Sequence, residues 1–193
     1  MKKINKGAEI MKIIIISDTH GSVGVWDKIK GYIDSDTTCI IHAGDLYSFG
    51  PRNPLPEGYD PGTLANQLNS IAVPLICSKG NCDSDVDQTI SNFPLCNPFA
   101  FIFYDGLRIF ITHGHLFNKE QLICLSKQWS IDLVVSGHTH VAGLESIGNT
   151  VFFNPGSCAL PKNFPGIGLL YNRCLELYNL NDNSLVNKIT LSR

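Results

Sequence analysis

Residues 12–20 read KIIIISDTH, an almost uninterrupted β-branched run that ends abruptly in polar side chains. Such a run predicts a strand that is buried on both faces, as in the parallel sheets of α/β proteins. Residues 22–35 follow with a helical pattern, and Ser22 stands at the position of an N-cap. A second apolar run, Cys39–Ala43, comes next. The chain is therefore expected to begin with a parallel βαβ unit.

The second half of the chain changes to hairpins. Asp105-Gly106 separates two strand-like runs, and Gly148-Asn149 separates two more. Parallel βαβ units followed by hairpins predict a layered α/β architecture, with either one mixed sheet or two sheets packed together.

Length and composition indicate one globular domain over residues 11–193, preceded by an optional or loosely ordered extension at residues 1–10. The 193 residues carry a net charge of −2 and no cluster of Lys or Arg, which excludes a nucleic acid polymer as a partner. No apolar stretch is long enough for a membrane helix, and the run Ile13–Ile16 is too short for a signal peptide. Seven cysteines without CxxC spacing predict free thiols. We expect a cytoplasmic protein that does not bind membranes.

Polar side chains follow six of the apolar runs, at the point where each predicted strand ends. They are, in chain order, Asp18, His20, Asp45, Asn81, Cys82, Asp83, His113, His115, His138, His140, Asn154 and Ser157. Because ligands of open α/β sheets bind at the carboxyl ends of the strands, we expect these side chains to lie together. A Gly precedes Asp45, Asn81 and His138, and it should let the backbone turn sharply there. Carboxylates, an amide and imidazoles suit a borderline divalent metal, and the set is large enough for two ions about 3.5–4 Å apart that share a carboxylate.

The order of the motifs D-x-H, G-D, G-N-x-D, H-G-H and G-H-T-H resembles that of the calcineurin-like metallophosphoesterases. The stretches SDTHG, GDLYSFGPRNPLPEGYDP, GNCDSDVDQ, THGHLF, GHTH and NPGSCALPK make the chain similar to the small bacterial YfcE-type phosphodiesterases within that superfamily. The resemblance runs from about Met11 to the C-terminus. It implies an α/β fold, namely a layered metallophosphoesterase sandwich of two mixed β-sheets flanked by helices.

The resemblance also implies a reaction, a cofactor and a set of ligands. Asp18, His20 and His140 would bind the first metal ion. Asp45 would bridge both ions, and Asn81, His113 and His138 would complete the second site. A hydroxide held between the ions would attack phosphorus in a small organic phosphate diester. Manganese is the ion that the resemblance implies first, while the ligand types also suit Fe, Co, Ni or Zn.

The chain departs from the family at one position, because Cys82 stands where the family usually has a His after the Asn. A thiol is a poor general acid at neutral pH. The leaving-group proton would come from His115 or from water, or the substrates would have good leaving groups, and we expect weak monoesterase activity. Arg52, in the proline-rich loop after Asp45, is expected to clamp the phosphoryl group. Asp83 should orient an imidazole of the site or form an Asx-turn.

Three alternatives stay open. The fold family includes a retromer subunit that binds partner proteins with this surface, so the chain could be a non-catalytic scaffold. It could also act on another class of phosphate ester, such as a cyclic nucleotide, a dinucleotide polyphosphate or a phosphoprotein. The edges of the hairpins could pair across a two-fold axis, which would give a homodimer or a higher homo-oligomer.

Finally, His42 lies inside a predicted strand and is expected to be a core histidine, not a ligand.

Overall fold

A computed structural model describes residues 11–192 of the chain, and the predicted extension at residues 1–10 lies outside the described residues. The four helices of this part are α1 (Val23–Lys30), α2 (Pro61–Asn69), α3 (Asp85–Ile90) and α4 (Lys119–Trp129). The strands are β1 (Lys12–Ile16), β2 (Thr37–His42), β3 (Leu75–Ser78), β4 (Leu95–Cys96), β5 (Ala100–Tyr104), β6 (Leu107–Ile111), β7 (Leu133–Val135), β8 (Gly143–Ile147), β9 (Thr150–Asn154), β10 (Gly166–Tyr171), β11 (Cys174–Asn179) and β12 (Ser184–Thr190).

The strands form two mixed sheets. The first has the order β12-β11-β10-β1-β2-β3-β4, and the second has the order β5-β6-β7-β9-β8. Strands β1 to β4 are parallel neighbours, and β6, β7 and β9 are parallel in the other sheet. The predicted architecture of two mixed β-sheets flanked by helices is therefore confirmed. The edge strands are β12 and β4 in the first sheet and β5 and β8 in the second. The pairing of such an edge with a second copy of the chain stays a prediction.

Strand β1 carries the core on both of its faces. Ile13 and Ile15 point toward the second sheet, whereas Ile14 and Ile16 pack under α1 and α2, and all four are fully buried. Burying an aliphatic side chain of this size stabilises a fold by about 1.5–3 kcal/mol, so this strand is a major source of stability. Helix α4 covers the outer face of the second sheet, where Phe110 is fully buried. The prediction of a strand buried on both faces is confirmed.

Two short elements were not predicted from the sequence, namely α3 and β4. Helix α3 has no buried residue, so it has no apolar periodicity that could reveal it. Its signal is a capping box, in which Ser84 and Asp87 each accept a hydrogen bond from the other's backbone N–H. Helix α1 is shorter than predicted, because it ends at Lys30 and not at residue 35.

The structure also shows the state of the cysteines and the character of the helices. All seven cysteines are free, as predicted. Within residues 11–192, no helix has both the length and the apolar character needed to cross a membrane.

The carboxyl ends of the parallel strands in both sheets lie on one side of the sandwich. The two sheets are joined there directly, since the imidazole Nδ1 of His113, after β6, donates to the carbonyl of Ala43, after β2, at 2.7 Å. The backbone N–H of His138, after β7, donates to Oδ2 of Asp18, after β1, at 3.2 Å. The candidate site is thus built from loops of both sheets.

Candidate metal centre

Five of the predicted metal ligands have a left-handed backbone. The φ angles are 55° for Asp18, 44° for His20, 58° for Asp45, 69° for His138 and 59° for His140. This conformation costs a non-glycine residue roughly 1–2 kcal/mol, and such residues concentrate at functional sites. The surrounding fold holds the loops in place through backbone hydrogen bonds, such as the bond from the N–H of Asp18 to the carbonyl of Gly44 at 3.0 Å.

The glycines of the motifs serve two different purposes. Gly44 has a φ of +100° and makes the sharp turn that the sequence predicts. Gly80 and Gly137 are needed for a different reason, which is close approach. A Cβ at Gly80 would lie 2.1 Å from Oδ1 of Asp45, and one at Gly137 would lie 2.6 Å from Oδ2 of Asp18. Neither Gly80 nor Gly137 has a positive φ, so close approach, not a left-handed backbone, is what requires glycine at these two positions.

The first group of predicted ligands is Asp18, His20 and His140. The Nε2 atoms of His20 and His140 lie 3.1 Å apart. Oδ1 of Asp18 lies 3.6 Å from Nε2 of His20 and 3.2 Å from Nε2 of His140. Each Nδ1 lies 2.8 Å from a backbone carbonyl, of Ser48 and Leu160 respectively. Because a carbonyl only accepts, each Nδ1 carries a hydrogen and donates it, which leaves a lone pair on each Nε2 of the neutral ring. Three electron-pair donors thus converge on one point.

The second group contains Asp45, Asn81 and His113. The Nδ1 of His113 donates to a carbonyl in the same way, so its Nε2 also has a lone pair. That Nε2 lies 3.3 Å from Oδ2 of Asp45 and 3.1 Å from Oδ1 of Asn81. The same Oδ2 of Asp45 is 3.9 Å from Nε2 of His20, a member of the first group. The Asp45 carboxylate therefore lies between the two groups, where a shared ligand would have to be.

This arrangement fits divalent metal ions. Oδ1 of Asp18 is buried and has no hydrogen-bond partner among the described residues, although it faces two imidazoles. A buried acceptor without a donor is costly unless a cation satisfies it. The potential ligand atoms of Asp18, His20 and His140 lie within 4.8 Å of one another, and so do those of Asp18, Asp45 and His113. Mixed carboxylate, imidazole and amide donors suit borderline divalent ions.

The directions of the pKa shifts at the site also indicate that positive charge is favoured there. Burial by itself would raise the pKa of Asp18, but the imidazoles of His140 and His20 outweigh it and hold that pKa below its ordinary value. Burial would lower the pKa of His113, but the carboxylates of Asp45 and Asp18 raise it to about 9. Protons can supply this charge, and a divalent cation replaces them when it binds, because metal ligands must be deprotonated.

Two further histidines lie beside these groups. His138 is exposed, and its ring centroid is 5.2 Å from that of His113, but it belongs to neither group of converging ligand atoms. His115 lies 5.3 Å from His113 and 6.1 Å from His138, centroid to centroid. Its Nδ1 is buried and has no hydrogen-bond partner among the described residues. The ligand role of His138 and the catalytic role of His115 stay predictions.

Cys82 lies at the edge of the site. Its Sγ is within 4.8 Å of ligand atoms of His20 and Asp45, and its backbone N–H donates to Oδ1 of Asp45 at 2.8 Å. Burial, with the carboxylate of Asp45 as a second cause, raises the pKa of the thiol to about 12. The group is therefore a neutral thiol and a poor nucleophile.

Asp83 and His42 accept hydrogen bonds from the backbone of the loops that carry the ligands. Asp83 does not orient an imidazole, so that alternative is wrong. Its carboxylate accepts backbone N–H bonds from Gly80 at 2.7 Å, from Asp45 at 2.8 Å and from Leu46 at 2.7 Å, and it ties the two ligand loops together. His42 is a core histidine, as predicted: its Nδ1 accepts from the N–H of Gly44 and its Nε2 contacts Oγ1 of a neighbouring threonine. Burial lowers the pKa of His42 to about 3.

A cavity of about 360 Å³ opens over the ligand groups, and its wall includes Asp45, Asn81, Cys82, His138 and His140. Arg52 lines it too, so the structure places this predicted residue beside the site. Lys162 is a second cation in the wall, and sequence reasoning missed it. The stretch NPGSCALPK, which ends in Lys162, was the available signal.

Comparison with known proteins gives four relevant similarities. The model of the calcineurin-like phosphoesterase superfamily domain matches residues 11–171. The chain is 38% identical over 186 residues to phosphodiesterase YfcE of Escherichia coli strain K12, with 95% of this chain and 100% of that protein covered. The solved structure of the E. coli phosphoesterase YfcE matches with a TM-score of 0.84 and 36% identity, over 94% of this chain and 100% of that one. Vacuolar Protein Sorting 29 of Cryptosporidium parvum matches with a TM-score of 0.68 over 94% of this chain and 98% of that one. At 16% identity, this last similarity shows the fold alone.

The backbone strain at His138 gives a testable prediction. In the variants His138→Gly and His138→Ala the imidazole is lost equally, but only Gly adopts a φ of +69° without strain. We expect the Gly variant to have the higher free energy of unfolding, by about 1 kcal/mol, when both are unfolded in denaturant with a chelator present. An Ala variant that is as stable as the Gly variant would show that the loop is not strained.

Proposed function

Because the chain belongs to the calcineurin-like phosphoesterase superfamily, we propose that it is a two-metal-dependent phosphodiesterase that hydrolyses small organic phosphate diesters. The predicted family and its enzyme class, the metallophosphoesterases, are confirmed by the family match and by the similarity to YfcE. The observation that best supports the finer proposal is the position of the Asp45 carboxylate, between Nε2 of His113 at 3.3 Å and Nε2 of His20 at 3.9 Å.

The proposed ligands form two sets that share one carboxylate. Asp18, His20 and His140 would hold the first ion, Asn81, His113 and His138 would hold the second, and Asp45 would be the ligand that the two share. Bound divalent cations supply Lewis acidity toward the phosphoryl oxygens and lower the pKa of water at neutral pH. We propose manganese as the resident metal, with Fe, Co, Ni and Zn as ions that the same ligands accept.

In the proposed hydrolysis, Arg52 binds the substrate and Asp83 positions the ligands. Water adds to phosphorus, one P–O ester bond breaks, and the products are a phosphate monoester and an alcohol. The guanidinium of Arg52 holds the phosphoryl group from the cavity wall, because its planar fork matches two phosphate oxygens. Asp83 keeps Asp45 and Asn81 in fixed relative positions through its three backbone contacts.

The chain differs from its family at the residue that would supply the proton for the leaving group. The thiol of Cys82 is a poor donor, since its pKa is about 12. The alcohol therefore leaves as a stable anion or takes its proton from His115 or from water. This favours diesters with good leaving groups over monoesters.

The shape and charge of the site support a small substrate. The cavity holds about 360 Å³ and is open, so both arms of a small diester fit. The chain has a net charge of −2 and no cluster of Lys or Arg in its sequence, whereas binding of a nucleic acid polymer favours such a cluster.

A matrix of metal ions against phosphate esters tests the proposed activity. We expect the metal-free protein to be inactive and Mn²⁺ to restore hydrolysis of bis(p-nitrophenyl) phosphate. The variant Asp45→Ala should lose at least about 10²-fold in kcat/KM, because both ions lose a shared ligand. Wild-type protein that hydrolyses no mono-, di- or cyclic phosphate ester with any of the five metals would support the scaffold alternative instead.

The substitution Cys82→His tests the role assigned to this position. An imidazole there can protonate a poor leaving group, so we expect the ratio of monoester to diester turnover to rise by at least about tenfold. The exposed Cys124 offers a matched control, since Cys124→His introduces the same side chain away from the site. An unchanged ratio in Cys82→His, with metal content equal to wild type, would contradict the assignment.

A further inference from the structure

Lys162 lies in the wall of the cavity without a partner. Its side chain is exposed, and within residues 11–192 no carboxylate lies within 4 Å of its ammonium group. Several other lysines are paired, for example Lys79 with Asp85 at 2.6 Å. The positive charge of Lys162 is therefore available to a molecule in the cavity.

The backbone around Lys162 is tied to the first ligand group. Its N–H donates to the carbonyl of His140 at 2.9 Å, and Nδ1 of His140 donates back to the carbonyl of Leu160 at 2.8 Å. The next residue, Asn163, accepts from the N–H of Ala142 and donates to its carbonyl, both at 2.9 Å. The lysine thus stands on a loop of fixed position, next to the ligands of the first ion.

The site holds more positive charge than a simple diester can neutralise. Two divalent ions would exceed the charge of Asp18 and Asp45, the carboxylates among their ligands, by two units, or by one unit with a hydroxide bound between them. Arg52 and Lys162 add two further positive charges in the same cavity. A phosphate diester carries one negative charge. Electrostatic complementarity therefore favours a substrate with an additional anionic group.

The two cations belong to different sides of the site. Arg52 follows Gly50 by two residues, and a Cβ at Gly50 would lie 2.8 Å from Sγ of Cys82. The loop that carries Arg52 therefore passes beside Cys82, which follows Asn81 of the second ligand group. The loop of Lys162 is instead hydrogen-bonded to the carbonyl of His140, in the first ligand group, so the two cations reach the cavity from different ligand groups.

We propose that the preferred substrate is a phosphate diester whose retained arm carries a second anionic group, a phosphate or a carboxylate, and that Lys162 binds this group. The inference rests on the proposed function and specifies its substrate class. Lys162 is then a residue that determines specificity, and it acts mainly on KM, because the remote group is bound equally in the ground state and in the transition state.

A pair of model diesters tests this directly. Thymidine 5′-(p-nitrophenyl phosphate) and its 3′-phosphorylated derivative have the same scissile bond and leaving group, and they differ only in a remote phosphate. We expect kcat/KM to be about fivefold higher for the 3′-phosphorylated compound, through a lower KM, and the difference to shrink as salt is raised to about 0.5 M. In Lys162→Ala the difference should disappear, whereas Lys162→Arg should keep it. The exposed Lys28, on α1, provides the control Lys28→Ala, which should leave the difference unchanged.

A binding measurement separates this inference from the proposed function. Calorimetry on the Mn²⁺-loaded protein should show thymidine 3′,5′-bisphosphate binding about fivefold more tightly than thymidine 5′-monophosphate, and Lys162→Ala should remove that preference. This readout needs no turnover, so it holds even if neither diester is hydrolysed, which would refute only the proposed activity. Equal affinities in the wild type, or a preference that survives in Lys162→Ala, would overturn the role of Lys162.

Discussion

Electron-pair donors face one another at the candidate metal centre, because the Nδ1 hydrogens of the His20 and His140 rings are donated to backbone carbonyls. The lone pairs on Nε2 of His20 and His140 meet at 3.1 Å, and the buried Oδ1 of Asp18 points at both. Acceptors repel at such distances unless positive charge lies among them. Burial would lower the pKa of His20, but the carboxylate of Asp18 raises it, so protons are drawn to the same place. The site therefore requires cations, and the rest of the structure keeps the donors from moving apart.

That confinement comes from the sheets and from buried polar supports. The loops that carry the ligands leave strands whose apolar side chains are fully buried, such as Ile15 in β1. Two side chains, one at the end of β9 and one just after it, brace the loops further. Oγ of Ser157 donates to the carbonyl of Asp18 at 2.8 Å, and Nδ2 of Asn154 donates to that of Gly137 at 2.8 Å. Both sheets thus contribute to holding residues in a left-handed backbone that they would not adopt alone.

Much of this organisation could be predicted from the sequence. The strand Lys12–Ile16, the hairpin around Asp105-Gly106 and the placement of polar residues at strand ends follow from apolar runs and turn residues, which are local signals. Helix α3 could not be found in this way, because none of its residues is buried. Two of the three backbone contacts of Asp83, with Asp45 and Leu46, join loops that are distant in sequence, and no spacing reveals them. Lys162 ends the stretch NPGSCALPK, but only the folded loop brings its side chain to the cavity, so its role was not predicted.

The most direct test of the metal centre is to locate the ions themselves. Crystals of the protein grown with Mn²⁺ should show two anomalous scattering peaks about 3.5–4 Å apart, both in contact with the carboxylate of Asp45. The first should also contact Asp18, His20 and His140. A single peak, or two peaks that do not share Asp45, would contradict the account.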